Sequence, residues 1–197
     1  MKSPGKPEQD PEILLFEDQK AWQIWLGGNY RTSAGVWLRL AKKSSGLHSL
    51  TYQEALDVAL CHGWIDGQKK SYDAQSWLQK FTTRGPKSIW SKINRARALA
   101  LIDAGRMQPA GLAAIEQARE NGQWEGAYDS HRTAQMPEDF QSALDANPEA
   151  AEFYATLNSA NRYAILFRLQ TARKPETRQK RLEQFIRMLE RQEKLHP

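Results

Sequence analysis

The sequence predicts an α+β protein, with a small antiparallel β-sheet and packed α-helices in its N-terminal half and an all-helical C-terminal part. Three short runs before residue 84 alternate apolar and polar side chains, which is the two-residue period of a half-buried strand. After residue 88, apolar residues recur at spacings of three and four, as in an amphipathic helix. Strands grouped early and helices grouped late are typical of the α+β class.

Length and composition suit one globular domain with a small appendage. The 197 residues are 40% hydrophobic and 26% charged, which is enough to bury a core. Residues 1–15 are predicted to form a disordered lead, because prolines and charged residues dominate its start. We expect an α+β core over residues 16–130 and a C-terminal helical element, packed on the core or appended to it, over residues 131–197.

Several features favour a cytoplasmic protein without membrane association. No run of about 18 apolar residues occurs, so no transmembrane helix is expected. The first residues hold no apolar core of a signal peptide. The single cysteine allows no internal disulfide, which fits a reducing compartment. The oligomeric state is left open.

The first helices and strands are predicted from their capping residues and from the spacing of their apolar residues. A helix is expected over residues 17–28, with Asp18 as its N-cap and two glycines at its end. Residues 35–41 alternate as a strand. Thr51 and Glu54 then form a capping box, in which each side chain satisfies a backbone donor, and this pair opens a second helix.

A β-hairpin is predicted after that helix, which Gly63 can end in a left-handed conformation. Residues 64–68 and 76–82 have strand composition, and residues 69–75 between them read as an irregular loop.

The second half of the sequence predicts helices that begin at a capping residue or at a proline. Ser88 is expected to cap a helix that ends at Ala104. A further helix is expected over residues 160–172. Prolines suit the first helical turn, and four of them mark helix starts: Pro109, Pro137, Pro148 and Pro175. The apolar stripe of the last helix should pack on the helix before it; the residues concerned are Leu182, Phe185, Ile186 and Leu189 against Tyr163, Leu166 and Phe167.

Three features could suggest chemistry but favour a structural interpretation: the Cys61–His62 pair, the four histidines and Asp66. Cys61 is adjacent to His62, but neighbours on a helix point about 100° apart, so a packed thiol is favoured over a nucleophile. The four histidines have no metal-ligand spacing, so neither a metal nor another cofactor is expected. Asp66 either bonds local backbone or lines a pocket as an acceptor or base.

The segment Arg84–Ser88 is the strongest binding signal. It precedes a predicted helix start, where free backbone N–H groups and the helix dipole attract anions, and Arg84 and Lys87 add positive charge. An ordinary capped helix start explains the pattern equally well. If the site exists, Asp66 should contact Arg84 in the empty protein, or an anion should take its place. The candidate ligand-binding residues are Trp64, Asp66, Arg84, Lys87, Ser88, Trp90, Lys92 and Asn94.

Positive charge is concentrated in two segments. Residues 67–97 hold eight Lys/Arg against one acid, and residues 162–197 hold ten against four. One continuous positive face built from both would suit nucleic acid, whereas separate solvated faces would not.

Several motifs resemble the bacterial YdeI/OmpD-associated family, which is linked by name to bacteriocin protection. The resembling runs are Ala59 to Gly67, Phe81 to Arg84, Ser88 to Asn94, Gly105 to Leu112, Asn161 to Tyr163 and Ala172 to Arg181, within a match over roughly residues 15–197. His62 and Thr83 depart from the family pattern, where an aromatic residue and a proline are expected. The resemblance implies a fold but no reaction and no catalytic residues.

Three functions remain open from these observations. The first is a stress or bacteriocin-protection binding module for a small anionic or aromatic ligand or a protein partner. The second is nucleic-acid binding through residues 67–97 and 162–197. The third is an enzyme with Asp66 as base and Arg84 and Lys92 as anion clamps, although no catalytic constellation is recognised.

Overall fold

The structure, a computed structural model, describes residues 12–197 and confirms the α+β class. Residues 1–11 of the predicted lead lie outside the described residues, and Ile13–Leu14, also within that lead, form a short strand. Within the described residues, the strands and helices are β1 Ile13–Leu14, α1 Gln19–Asn29, β2 Val36–Ala41, α2 Tyr52–Cys61, β3 Trp64–Ser71, β4 Ser76–Thr83, α3 Lys92–Asp103, α4 Pro109–Glu120, α5 Glu138–Asp145, α6 Pro148–Thr156, α7 Ser159–Gln170 and α8 Pro175–Glu190.

The chain divides into two compact units. The N-terminal unit comprises the chain up to Ser88 together with Ala96–Trp124. The C-terminal unit comprises Ile89–Arg95 and Glu125–Pro197. Among residues 12–197, no helix is both long and apolar enough to cross a membrane.

The sheet of the N-terminal unit has the strand order β1-β2-β4-β3. The pairs β2–β4 and β4–β3 are antiparallel, as expected for the predicted hairpin, whereas the edge strand β1 runs parallel to β2. Strand β3 continues to Ser71 past a register shift between Asp66 and Lys69, so the predicted loop over residues 69–75 is shorter than expected. A bulge explains the difference, because an inserted residue interrupts the sequence alternation without ending the strand.

Helices α1 and α2 form as their caps predict. Asp18 Oδ1 accepts a hydrogen bond from the Ala21 amide at 2.8 Å, and the Thr51–Glu54 capping box is present in both directions. The core of this unit includes residues from both helices and three strands, among them Trp22, Leu26, Leu38, Leu56, Trp64, Leu78 and Phe81.

The predicted start of the third helix at Ser88 is wrong. Helix α3 begins at Lys92, and Ser91 Oγ accepts the Asn94 amide at 3.1 Å as its N-terminal cap. The Ser88 hydroxyl instead accepts the Gly85 amide at 3.1 Å and closes a turn. The chain stays non-helical between them because Ser91 forms a β-bridge with Tyr128, which sequence periodicity cannot reveal.

Helices α5 to α8 of the C-terminal unit enclose one apolar core, which includes Phe140, Tyr154, Ile165, Leu169, Leu182, Phe185 and Leu189. The predicted stripe of α8 is buried, but it packs against α5 and α6 as well as α7. Tyr163 and Phe167, expected beneath that stripe, face Tyr128 and His131 instead. Their ring centroids lie 4.9 Å (Tyr128–Phe167) and 5.2 Å (His131–Tyr163) apart.

Candidate functional site

The predicted site residues fall in both units. Five of them belong to the N-terminal unit, namely Trp64, Asp66, Arg84, Lys87 and Ser88, and three to the C-terminal unit, namely Trp90, Lys92 and Asn94. Each group is therefore described within its own unit.

Asp66 does not make the expected contact with Arg84. Within the described residues its Oδ2 accepts a hydrogen bond from Tyr52 Oη at 2.8 Å, and no Asp66–Arg84 ion pair forms. The strand register explains this. Asp66 pairs with Phe81, whereas the Arg84 amide donates to the Gly63 carbonyl at 2.9 Å. Arg84, just past the end of β4, therefore lies opposite Gly63, three residues or about 10 Å of strand away from Asp66.

The remaining residues of the predicted site either are exposed or have partners within their own unit. Lys87 is exposed, and Ser88 caps the turn described above. In the C-terminal unit, the Trp90 carbonyl accepts the Tyr128 amide at 2.9 Å, and Lys92 Nζ pairs with Asp129 Oδ2 at 2.8 Å. The carboxylate offsets the positive charge of this lysine, so the lysine attracts an external anion more weakly than an unpaired lysine would.

Arg84 instead lines a cleft of about 390 Å³ within the N-terminal unit. The ends of α1, α2 and β4 and one face of α4 meet there. The lining residues are Tyr30, Arg31, His62, Gly63, Thr83, Arg84, Ala110, Ala113, Ala114 and Gln117. None of these is acidic, so the cleft carries a net positive charge.

Small residues allow α4 to form one wall of the cleft. A Cβ on Gly63, which has a φ of +71°, would lie 2.7 Å from the Ala110 carbonyl oxygen. A Cβ on Gly111 would lie 2.4 Å from the Cys61 carbonyl oxygen. The Gln108 amide donates to that same carbonyl at 3.1 Å. Glycine at both positions therefore permits the close approach of α4 to the end of α2.

The rim of the cleft is held by the buried Trp64. Its indole Nε1 donates to the Tyr30 carbonyl at 3.2 Å, which anchors the chain where α1 ends. Arg31 follows directly, and its Nε donates to Tyr30 Oη at 2.8 Å. Trp64 was predicted to contact the ligand, but it is buried and instead holds the backbone of the cleft rim in place.

His62 is the buried imidazole of this cleft, with 7% of its surface exposed. It forms the C-cap of α2, and its Nδ1 lies 3.0 Å from the Val58 carbonyl oxygen. A carbonyl can only accept, so Nδ1 carries a proton and Nε2 is the nitrogen left for other partners. Within residues 12–197, Nε2 makes no hydrogen bond.

Cys61 lines a second, smaller hollow of about 250 Å³ together with Gln23, Val58, His62, Gly105, Arg106 and Gln108. Burial raises the pKa of the Cys61 thiol to about 11, which outweighs the opposing effect of Arg106. A thiol is a poor nucleophile in this form, so the geometry favours a packed cysteine. Among the described residues, no group of three or more His, Cys, Asp or Glu side chains is placed to hold a metal ion.

Sequence reasoning identified Arg84 but missed its neighbours in the cleft. One signal was present: Ala110, Ala113, Ala114 and Gln117 recur at helical spacing, so they share one face of α4 with very small side chains. Such a face permits close packing of other chain segments. Tyr30, Arg31 and His62 gave no comparable signal, because each follows a helix at a position defined only by tertiary packing.

Comparison with known proteins separates the chain into two matched regions. The family described as Domain of unknown function (DUF8412) matches residues 14–114, and the one described as Bacteriocin-protection, YdeI or OmpD-Associated matches residues 133–192. The chain has no significant match among curated proteins or solved structures. The first match covers half of the sequence and contains every residue that lines the cleft except Gln117. The second match confirms that the C-terminal helices resemble the YdeI/OmpD-associated family. The chain thus belongs to the DUF8412 family and carries a YdeI/OmpD-associated domain in its C-terminal part.

Proposed function

We propose that this protein is a binding module for a small anionic ligand, with the cleft around Arg84 as the binding site. A role in bacteriocin protection is part of the proposal and is supported by the description of the C-terminal domain. A role in stress and a location in the cytoplasm are also proposed, on the sequence alone. The ligand is an oxyanion such as a carboxylate or a phosphate, because planar guanidinium groups bind these groups in a bidentate manner.

The burial of Arg84 within an acid-free cleft is the observation that carries the proposal. Arg84 is only 8% exposed, and Arg31 and His62 line the same space. Positive groups concentrated in a partly desolvated cleft strengthen the field on an anion compared with exposed lysines. Thr83 and Gln117 add polar side chains for orientation. The volume suits a small molecule rather than a macromolecule.

Binding can be measured by following backbone amide NMR shifts during titration with sulfate, phosphate or benzoate. We expect saturable shifts at Thr83, Arg84 and the first turns of α4. Arg31→Gln should weaken binding about tenfold, because it removes one charged hydrogen-bond donor. Arg119→Gln is the matched control: it removes the same charge from an exposed position of α4 outside the cleft lining.

Two results would reject the proposal. One is the lack of saturable shifts with all three anions. The other is equal weakening by Arg31→Gln and Arg119→Gln, which would indicate attraction to overall charge rather than to the cleft.

Nucleic-acid binding is a second candidate, supported by basic and aromatic side chains on the β3–β4 hairpin and the adjacent strand β2. Lys69 Nζ lies 4.4 Å from the centroid of the Trp77 ring, and Lys70 Nζ lies 4.3 Å from that of Trp37. An electrophoretic shift with mixed-sequence DNA and RNA tests this candidate. Binding to phosphates should weaken steeply with salt. The third function, an enzyme using Asp66 with Arg84 and Lys92, loses its support because Asp66 accepts a hydrogen bond from Tyr52 and does not contact Arg84.

A further inference from the structure

We infer that anion binding in the cleft is coupled to proton uptake by His62, so that the site prefers its oxyanion at mildly acidic pH. This inference rests on the proposed function and adds to it the chemistry of recognition. A ligand bound there would be held by Arg31, Arg84 and an imidazolium together.

The first step is the position of the imidazole. His62 is nine-tenths buried, lines the same cleft as Arg84, and uses Nδ1 for the Val58 carbonyl. Neutral imidazole therefore presents Nε2 as an acceptor, which repels an oxyanion. When Nε2 gains a proton it becomes a charged donor, which suits an oxyanion. Histidine changes charge between about pH 5 and pH 8, so this conversion is available near neutral pH.

The second step is the charge around the ring. The groups near His62 come from the elements packed against it. They are Gln23, Tyr30 and Arg31 from α1 and its end, Cys61 from α2, Arg84 after β4, and Arg106, Gln108 and Gln117 before and along α4. Asp57, four residues before Cys61 in α2, acts electrostatically on the Cys61 thiol. Asp57 is engaged by Arg97 at 2.6 Å and Arg106 at 3.8 Å. The charged groups around the ring are thus predominantly cationic, with Arg31, Arg84 and Arg106 on the lining of the two hollows that His62 shares.

The third step is the effect of the anion. An oxyanion between Arg31 and Arg84 offsets the cationic field and supplies an acceptor for Nε2, so both changes favour the imidazolium. The position of His62 at the C-terminus of α2 acts in the same direction, because the helix dipole places partial negative charge there. Binding and protonation therefore strengthen each other.

The sign of the pH dependence follows. Affinity should be highest at low pH, where His62 is already protonated, and should fall by up to about tenfold per pH unit as the proton is lost. Sulfate is a suitable probe because it does not titrate in this range. In NMR titrations we expect sulfate to bind at least about tenfold more weakly at pH 8 than at pH 6. The midpoint of the His62 imidazole resonances should move to higher pH in saturating sulfate.

Two variants complete the test. His62→Gln should bind sulfate with similar affinity at pH 6 and pH 8, whereas the control His48→Gln, at an exposed position of the same unit, should keep the wild-type pH dependence. If His62→Gln does not fold, the imidazole midpoint of the wild-type protein decides alone. Sulfate binding with an unchanged midpoint would overturn this inference but leave the proposed function standing. No saturable shifts with sulfate, phosphate or benzoate at any pH would overturn both.

Discussion

Two hollows, one in each unit, differ in charge more than in size. In the C-terminal unit, a space of about 570 Å³ between α6 and the end of α8 is lined by Glu149, Glu152 and Glu190, together with Phe153, Thr156 and Gln192. The cleft of the N-terminal unit is smaller, at about 390 Å³, but is lined by Arg31, Arg84 and His62 and by no acid. The smaller space is therefore the better candidate for an anion.

Two arginines, one from each unit, also differ in their partners. In the C-terminal unit, Arg178 donates from Nε and Nη2 to Asp139 at 2.7 Å each and from Nη1 to the Leu169 carbonyl at 2.8 Å. In the N-terminal unit, Arg31 donates to a tyrosine hydroxyl at the cleft rim. An arginine chelated by a carboxylate stabilises a fold, whereas one beside a neutral hydroxyl keeps its charge for a ligand. The comparison teaches that partners, rather than residue type, distinguish structural from binding arginines.

The largest expected effect concerns the closed core of the C-terminal unit. Phe185→Ala should lower the free energy of unfolding by about 3–5 kcal/mol, because it leaves a cavity among α5 to α8. Denaturant unfolding followed by circular dichroism measures this loss. Lys180→Ala, at an exposed position of the same helix, should change stability by less than about 0.5 kcal/mol. A cost below about 1 kcal/mol for Phe185→Ala would mean that this unit is not closed around its core.

A smaller effect tests the close packing that forms the cleft wall. Gly111→Ala should destabilise the N-terminal unit by about 1–3 kcal/mol, because its Cβ meets the carbonyl oxygens of Cys61 and Leu60 at 2.4 and 2.8 Å. Gly28→Ala is the matched control. Its Cβ meets nothing within 4 Å, so the variant should be neutral or more stable by up to about 1 kcal/mol. Equal melting temperatures for the two variants would contradict the close approach of α4 and α2.

The smallest effect sharpens the contrast between arginines. Hydrogen bonding from Arg178 holds the pKa of Asp139 below its ordinary value. A carboxylate with a depressed pKa stabilises the fold above its unfolded-state pKa of about 3.9, and this stability is lost as pH falls through the lower folded-state pKa. Both side chains are partly exposed, so the pair contributes only about 0.5–1 kcal/mol.

Unfolding measurements at two pH values check this pair. Asp139→Asn should be less stable than the wild-type protein at pH 6, and the difference should shrink well below pH 4. Asp145→Asn, at an exposed position of the same helix, should behave like the wild-type protein at both pH values. A difference for Asp139→Asn that does not depend on pH would show that the carboxylate charge is not the cause.

Local sequence signals determined most of the secondary structure. Asp18, the Thr51–Glu54 pair and the prolines at helix starts act on backbone groups within one turn, so their effects are visible without the fold. The start of α3 escaped prediction because Ser91 is held by a β-bridge to Tyr128, a partner that lies 37 residues away along the chain.

Tertiary structure alone decided the candidate site. The basic segment before α3 directed attention to Arg84, but the sequence could not show that Asp66 contacts Tyr52 of α2 instead of Arg84. Nor could it show that α4 approaches α2 closely enough to bring His62, Arg31 and Arg84 into one cleft. The physical reason is the distance along the chain over which each feature is determined. Helix caps and apolar spacing depend on neighbouring residues, whereas a binding site depends on strand register and on contacts between segments far apart in the chain.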